Sequence, residues 1–160
     1  MGLIPLDGEV VVGDATSCQR DLAEQVVAAG GDYVLVVKEN QPKLQTDVAA
    51  GFGYEASQRS LAAAFPPEVP PPAPERQATP TDKGHGRVEK RILRTTTLLT
   101  VHERWPGLAH GFESTRERTV AGTTTVEVAY GITSLSPREA DAARLLGLVR
   151  DHWRIENCLH

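Results

Sequence analysis

Five consecutive apolar residues, Tyr33 to Val37 in the stretch "DYVLVVK", leave this segment with no polar face. A strand of that kind must be covered on both sides, which demands helices above and below a sheet. The preceding residues supply the start of such an architecture. "GEVVVGDA" is a β-branched run bounded by glycines and reads as a buried strand ending at Asp14. "SCQRDLAEQVVAAGGD" then reads as a helix, with Ser17 as N-cap, Leu22, Val26 and Val27 at helical spacing, and Gly30 and Gly31 as its stop. Strand, helix and strand predict a right-handed βαβ unit with parallel strands. Pro42 in "ENQPKLQTDVAAGF" stands near the first turn of a second helix.

Further on the pattern changes. Seven of the eleven prolines fall in the sixteen residues from Phe65 to Pro80, which blocks both helix and ladder and predicts a linker or surface loop. "GRVEKRILRTTTLLTV", "GFESTRERTV" and "TTTVEVAYGITSL" are Thr- and Val-rich runs separated by turn signals, most simply a small antiparallel sheet. From Pro137 the chain returns to helix, with Ser136 and Glu139 spaced as a capping box and Pro137 at the first helical position. The expected organisation is therefore α/β: a βαβα portion over 1–52, a Pro-rich linker over 53–82, a β-rich insertion over 83–134, and terminal helices over 135–160.

With 160 residues, 40% of them hydrophobic, the chain is sized for one domain with a real core. No apolar run is long enough to span a membrane, and Met1 is followed by neither a basic nor an apolar leader segment, so a cytoplasmic protein without membrane contact is the expectation. Cys18 and Cys158 are too few and too far apart in sequence for a disulfide framework or a zinc site. The net charge of -4 argues against a surface built throughout for polyanions. Local asymmetry is another matter: Lys83, Arg87, Lys90, Arg91 and Arg94 stand against Glu89 alone. That stretch could meet phosphates, or form the solvated basic face of a strand.

Two acids occupy positions with chemical potential. Asp14 ends a strand, where ligands and catalytic groups gather in open α/β sheets, although a strand-end Asp also serves to cap a following helix. Glu156 lies in the amphipathic run "LVRDHWRIENCLH", where His152, Glu156 and His160 at i, i+4 and i+8 share one helical face. That spacing permits a mononuclear metal site. It also arises by chance on a long helix.

The blocks "VVVGDATSCQRDLAEQVVAAGGDYVLVVKENQP", "DKGHGRVEKR", "RWPGL" and "VRDHWRIENCLH", in this order, resemble the DDE-type insertion-sequence transposases, in the group that includes the H-repeat-associated proteins. The resemblance implies an RNase H-like mixed sheet with flanking helices, interrupted by a β-rich insertion before the helix bearing the last acid. It implies three carboxylates holding two Mg²⁺ or Mn²⁺ ions, which activate water and then a DNA 3′-hydroxyl for attack on phosphodiesters. On the matching motifs Asp14 in "GDA" is the second acid and Glu156 in "HWRIEN" the third. Lys83, His85, Arg87 and Arg91, in the "DKGHGRVEKR" block, are implied near DNA at insertion-sequence ends, and a homo-oligomer is implied for the full-length protein.

The first acid of the family belongs to an earlier strand. Asp7 does not supply it: seven residues of extended chain separate it from Asp14 by roughly 23 Å at ~3.3 Å per residue. Ions in a two-metal site sit only ~4 Å apart. Asp7 is expected instead in a turn with Gly8. Relatives carry Tyr and Arg before the third acid and Lys after it; here Val149 and His152 stand in the first two positions and the Lys position falls beyond His160. A protonated His152 could contact a phosphate in place of the Arg. The expectations that follow are a chain truncated at both ends, an exposed strand edge in its βαβ unit, marginal stability, and no cleavage or joining of DNA by this chain alone. The alternative is a non-catalytic remnant that binds DNA or a partner.

Overall fold

A computed structural model describes residues 5–14, 19–39, 41–64, 76–78, 82–84, 86–96 and 105–158, of which 54–64, 76–78, 82–84 and 152–158 are described by their backbone. The βαβ unit forms as its pattern predicts. Strand β1 (Val10–Gly13) pairs in parallel with β2 (Asp32–Val37), Val12 beside Val34, and helix α1 (Arg20–Ala28) joins them. Gln19 occupies the N-cap of α1 without a side-chain hydrogen bond; Ser17, the expected cap, lies outside the described residues. At the other end the Gly31 amide donates to the Val26 carbonyl at 3.0 Å, and Gly30 turns the chain with φ +84°. A Cβ at Gly30 would meet the Asp7 carboxylate, which is free to swing aside, so it is the positive φ that calls for glycine there. Asp7 and Gly8 form the expected turn, closed by the Glu9 amide donating to the Leu6 carbonyl at 2.8 Å.

The two-faced strand β2 does divide its side chains between two cores. Tyr33, Leu35 and Val37 pack with Ala23 and Val26 of α1 and with Leu44, Val48 and Phe52 of α2 (Pro42–Ala64). Val34 points the other way, into a cluster with Leu145, Leu146 and Val149 of α3 (Ala142–Cys158). Pro42 opens α2, where its missing amide would have had no intrahelical partner. The helix continues past Phe52 to Ala64, so the segment expected as linker begins as helix, and within it Arg76–Ala78 forms a short strand, β3.

The β-rich insertion is fused to the core sheet. Strands β5 (Arg87–Thr96), β6 (His110–Val120) and β7 (Thr123–Thr133) form the predicted antiparallel meander, and β7 then pairs antiparallel with β2, Val37 opposite Tyr130 and Val34 opposite Thr133. Among the described residues the result is one seven-stranded mixed sheet in the order β1-β2-β7-β6-β5-β3, with β4 (Asp82–Gly84) sharing the outer edge of β5. Helices flank it on both faces, as the α/β expectation requires. Ala121 and Gly122 join β6 to β7 with φ +51° and +80°, the two positive values of a type I′ turn that matches strand twist. Lower in the hairpin Phe112 lies opposite Gly131, and its ring fills the space that a Cβ on Gly131 would take.

One boundary needs correction. Ser136 and Glu139 exchange the bonds of a capping box: the Ser136 amide donates to Glu139 Oε2 at 2.9 Å, and the Glu139 amide to Ser136 Oγ at 3.2 Å. The turn they close is not propagated, and α3 begins at Ala142 instead of Pro137. Asp141 caps the helix afresh, accepting the Arg144 amide on Oδ1 at 2.9 Å and the Leu145 amide on its carbonyl at 3.0 Å.

Candidate active site

Alternation along β1 decides where Asp14 stands. Val10 and Val12 pack into the cluster under α3, and Val11 into the cluster under α1 and α2. Asp14 follows Val12 by two residues and is half-buried just past the carboxyl end of β1, in phase with the α3 face. On α3 the backbone carries Glu156 seven residues beyond Val149 and eleven beyond Leu145, both buried against the sheet. Intervals of seven and eleven return a helix to nearly the same azimuth, so Glu156 shares their register, as does His152, seven residues after Leu145. The helix bearing one acid thus packs on the face of the strand that leads to the other. His160, the last member of the spacing that permits a mononuclear site, lies outside the described residues, as does His85.

The basic stretch forms a second constellation on the same face. In β5, Arg87, Glu89, Arg91 and Leu93 alternate onto one side, and Leu93 belongs to the α3 cluster. Cross-strand register adds Arg116 and Arg118 of β6 and Glu127 of β7, because Arg91 lies opposite Arg116, Glu89 opposite Arg118, and Arg116 opposite Glu127. Glu89 organises the group. It is 2.7 Å from Arg91 Nη2 and 3.2 Å from Arg116 Nε, with Arg87 at 3.9 Å. Burial by itself would raise the Glu89 carboxyl; hydrogen bonds from Arg116 and Arg91, aided by their charges, outweigh it and hold the group below the ordinary carboxylate value. Glu127 reaches Arg116 from the other side at 3.7 Å. Two carboxylates therefore fix three guanidiniums in a ladder, Arg87, Arg91 and Arg116, with Arg118 beside them in the row of Glu89, a preorganised array for planar anions such as phosphate.

Register also relates the two constellations. Gly13 lies beside Leu35, Leu35 opposite Ile132, and Ile132 opposite Gly111. The rows of Arg91 and Glu89 lie past the carboxyl ends of β1 and β2, on the same end of the sheet as Asp14. Register brings Arg87 and Arg91 together on the α3 side, whereas Lys83 in β4 stands opposite Val88, in phase with the other side of the sheet. Arg116, Arg118 and Glu127 were not anticipated. Their signal is the alternation "STRERT", which puts Arg116 and Arg118 on one face of a strand and Glu117 on the other.

On the opposite face Arg94 donates to Glu113 from Nη2 at 2.6 Å and from Nε at 3.0 Å, and its guanidinium lies 5.0 Å from the centre of the Phe52 ring. Burial, then the Glu113 charge, raises the Tyr130 hydroxyl beside them. This pairing ties α2 to the sheet.

Comparison with known proteins follows the same lines. Residues 2–160 match the transposase DDE domain family. The chain is 34% identical over 111 residues to an uncharacterized protein from the dhlA 3′ region of Xanthobacter autotrophicus, covering 68% of this chain and 33% of that protein. It is 27% identical over 168 residues to YbfL of Escherichia coli strain K12 and, over the same length, to YhhI of that strain, which is named for the H repeat and for transposase. Each alignment covers all of this chain and 40% of the relative, so the chain spans two fifths or less of the length of these relatives. Among the described residues no helix is long and apolar enough to cross a membrane.

Proposed function

Because the chain belongs to the family of transposase DDE domains, we propose that it carries two of the three catalytic acids, Asp14 and Glu156, of a protein that cuts and joins DNA at insertion-sequence ends. One observation carries this reading. Asp14 stands past the carboxyl end of β1 on the face covered by α3, and the arginine ladder lies on that same face and end of the sheet. A reactive phosphodiester needs both: oxygen ligands at the scissile bond and cations along the flanking strand.

Carboxylates are the donors that hard divalent cations take, so Asp14 and Glu156 fit Mg²⁺ or Mn²⁺. A pair of such ions, when bound, supplies activation of the attacking oxygen and stabilisation of the leaving oxygen in an in-line displacement. Arg87 and Arg91 hold DNA phosphates and Arg116 extends the same track, while Lys83 on β4 and His85 supply separate phosphate contacts. His152 donates to a phosphate when protonated. The first acid comes from a strand beside β1, which ends the sheet among the described residues and offers an edge for pairing.

Two acids do not complete the site, so the chain by itself is expected neither to nick nor to join DNA. The test incubates the full chain with plasmid and insertion-sequence-end DNA in Mn²⁺, with and without a fragment carrying the upstream acid. Nicking only on complementation, abolished by Asp14→Ala and by Glu156→Ala, is the expected result. Nicking by the chain alone that disappears in Asp14→Ala refutes the two-acid reading. A second reading, favoured by the arginine ladder, is DNA binding without catalysis; salt-sensitive binding and no nicking even on complementation would decide for it.

A further inference from the structure

The hairpin of β6 and β7 reaches beyond the core, and the two sides of β7 differ there. Along its inner side β7 pairs with β6 from Thr123 to Thr133, but β2 covers only Tyr130 to Thr133 of its outer side. From Thr123 to Ala129 the outer edge meets no strand among the described residues. Residues 123–128 are all exposed, Val126 at 58% and Val128 at 49%. Natural edges of this length are usually blunted by Lys, Pro or a bulge. This one reads Thr-Thr-Thr-Val-Glu-Val-Ala, strongly β-forming, with one charge and no Pro.

We infer that this edge is the interface for a second copy of the chain, joined by antiparallel β7–β7 pairing about a two-fold axis at Val126. The inference is independent of the catalytic reading. In a two-residue hairpin the flanking pair, Val120 and Thr123, exchanges both hydrogen bonds, so the odd residues of β7 direct their backbone groups to β6 and the even ones outward. Thr124, Val126 and Val128 therefore present amides and carbonyls along the outer edge that no strand among the described residues takes up. With Val126 opposite its own copy, Thr124 meets Val128 of the second copy, and every outward group has a partner.

Charge selects this register. Centred on Glu127, the pairing would set two like carboxylates against each other. Centred on Val126, it sets Glu127 opposite Thr125 of the second copy, whose neighbour across the hairpin is Arg118. Arg118 makes no ion pair among the described residues, and its Nε is buried without an acceptor. Glu127 is 73% exposed and held only loosely by Arg116 at 3.7 Å. Each copy thus offers an exposed carboxylate to the arginine that lacks one in the other, while Val126 and its copy cover each other on the opposite face. The arginine ladders of the two copies become one continuous track.

Sedimentation of the purified full chain against concentration tests this. A reversible monomer–dimer equilibrium is expected, with Val126→Lys raising the dissociation constant by at least about tenfold while leaving the circular dichroism and thermal midpoint of the monomer intact. Glu127→Arg should weaken the dimer, and Arg118→Glu combined with Glu127→Arg should restore it, which a merely structural defect would not do. A wild-type chain that stays monomeric throughout overturns the inference. So does a dimer indifferent to Val126→Lys, which would point to another surface or another occupant of this edge.

Discussion

His110 is fully buried at the start of β6, and both of its ring nitrogens lack partners among the described residues. The hydroxyl across the ladder is committed elsewhere: Thr133, opposite His110, donates to the Tyr33 carbonyl at 2.8 Å and accepts the Leu135 amide at 3.1 Å. Burial lowers the His110 pKa to about 4 from an ordinary 6.5. The unfolded chain therefore takes up a proton between these values that the native chain refuses, and stability falls as pH falls through that window; above 6.5 the group contributes nothing. From pH 7 to 5 the loss is on the order of 2 kcal/mol. The His110→Leu variant should be nearly flat over this range in urea titrations, and a variant curve parallel to wild type would dismiss His110 as the source. Nothing in "GLAHGFE" distinguishes this histidine from one in a loop, because its burial depends on pairing in the ladder with Thr133, at the far end of β7. Asp14 was legible for the opposite reason: its position follows from the strand immediately before it.

Elements were legible where local signals agreed and were misplaced where two competed. The two apolar faces of β2 demanded two cores, and two cores formed. The α1 stop, read from Gly30 and Gly31, is realised with the positive φ that glycine permits. At α3 two caps lie within six residues. Ser136 and Glu139 satisfy each other, yet Asp141 holds the amides of Arg144 and Leu145 and fixes the start of the helix. Asp141→Ala should then cost about 1 kcal/mol of stability and Ser136→Ala clearly less, measured as shifts of the urea midpoint at constant slope. Equal costs would mean that the box, and not Asp141, nucleates α3. The pairing of β7 with β2 was not legible at all. "YGITSL" alternates as any half-buried strand does, and alternation names no neighbour when the partner is nearly a hundred residues away.

At the scale of the molecule, a chain with net charge -4 still gathers four arginines on one side of one sheet, while Arg94 on the other side is paired with Glu113. Arg87, Arg91, Arg116 and Arg118 face the α3 side, whereas Lys43, on α2 behind the other face, is neutralised locally by Asp47 at 2.7 Å. Composition could not reveal this, because it averages over faces; the period-two spacing of "RVEKR" and "TRER" does, once the strands are aligned. If DNA follows the α3 face, each phosphate neutralised releases counterions, and the logarithm of affinity falls with the logarithm of salt in proportion to the contacts made. Arg87, the most exposed of the ion-paired arginines at 47%, can meet a phosphate with little loss of its internal partner, since it stands 3.9 Å from Glu89. Arg87→Ala should reduce the magnitude of the salt slope by about one and weaken binding alike across sequences. Lys43→Ala, equal in charge removed, should leave the slope unchanged. Fluorescence anisotropy with duplex DNA over a salt series separates the outcomes: equal effects of the two substitutions would mean that DNA senses only total charge, and the arginine ladder would then be an internal scaffold of the hairpin.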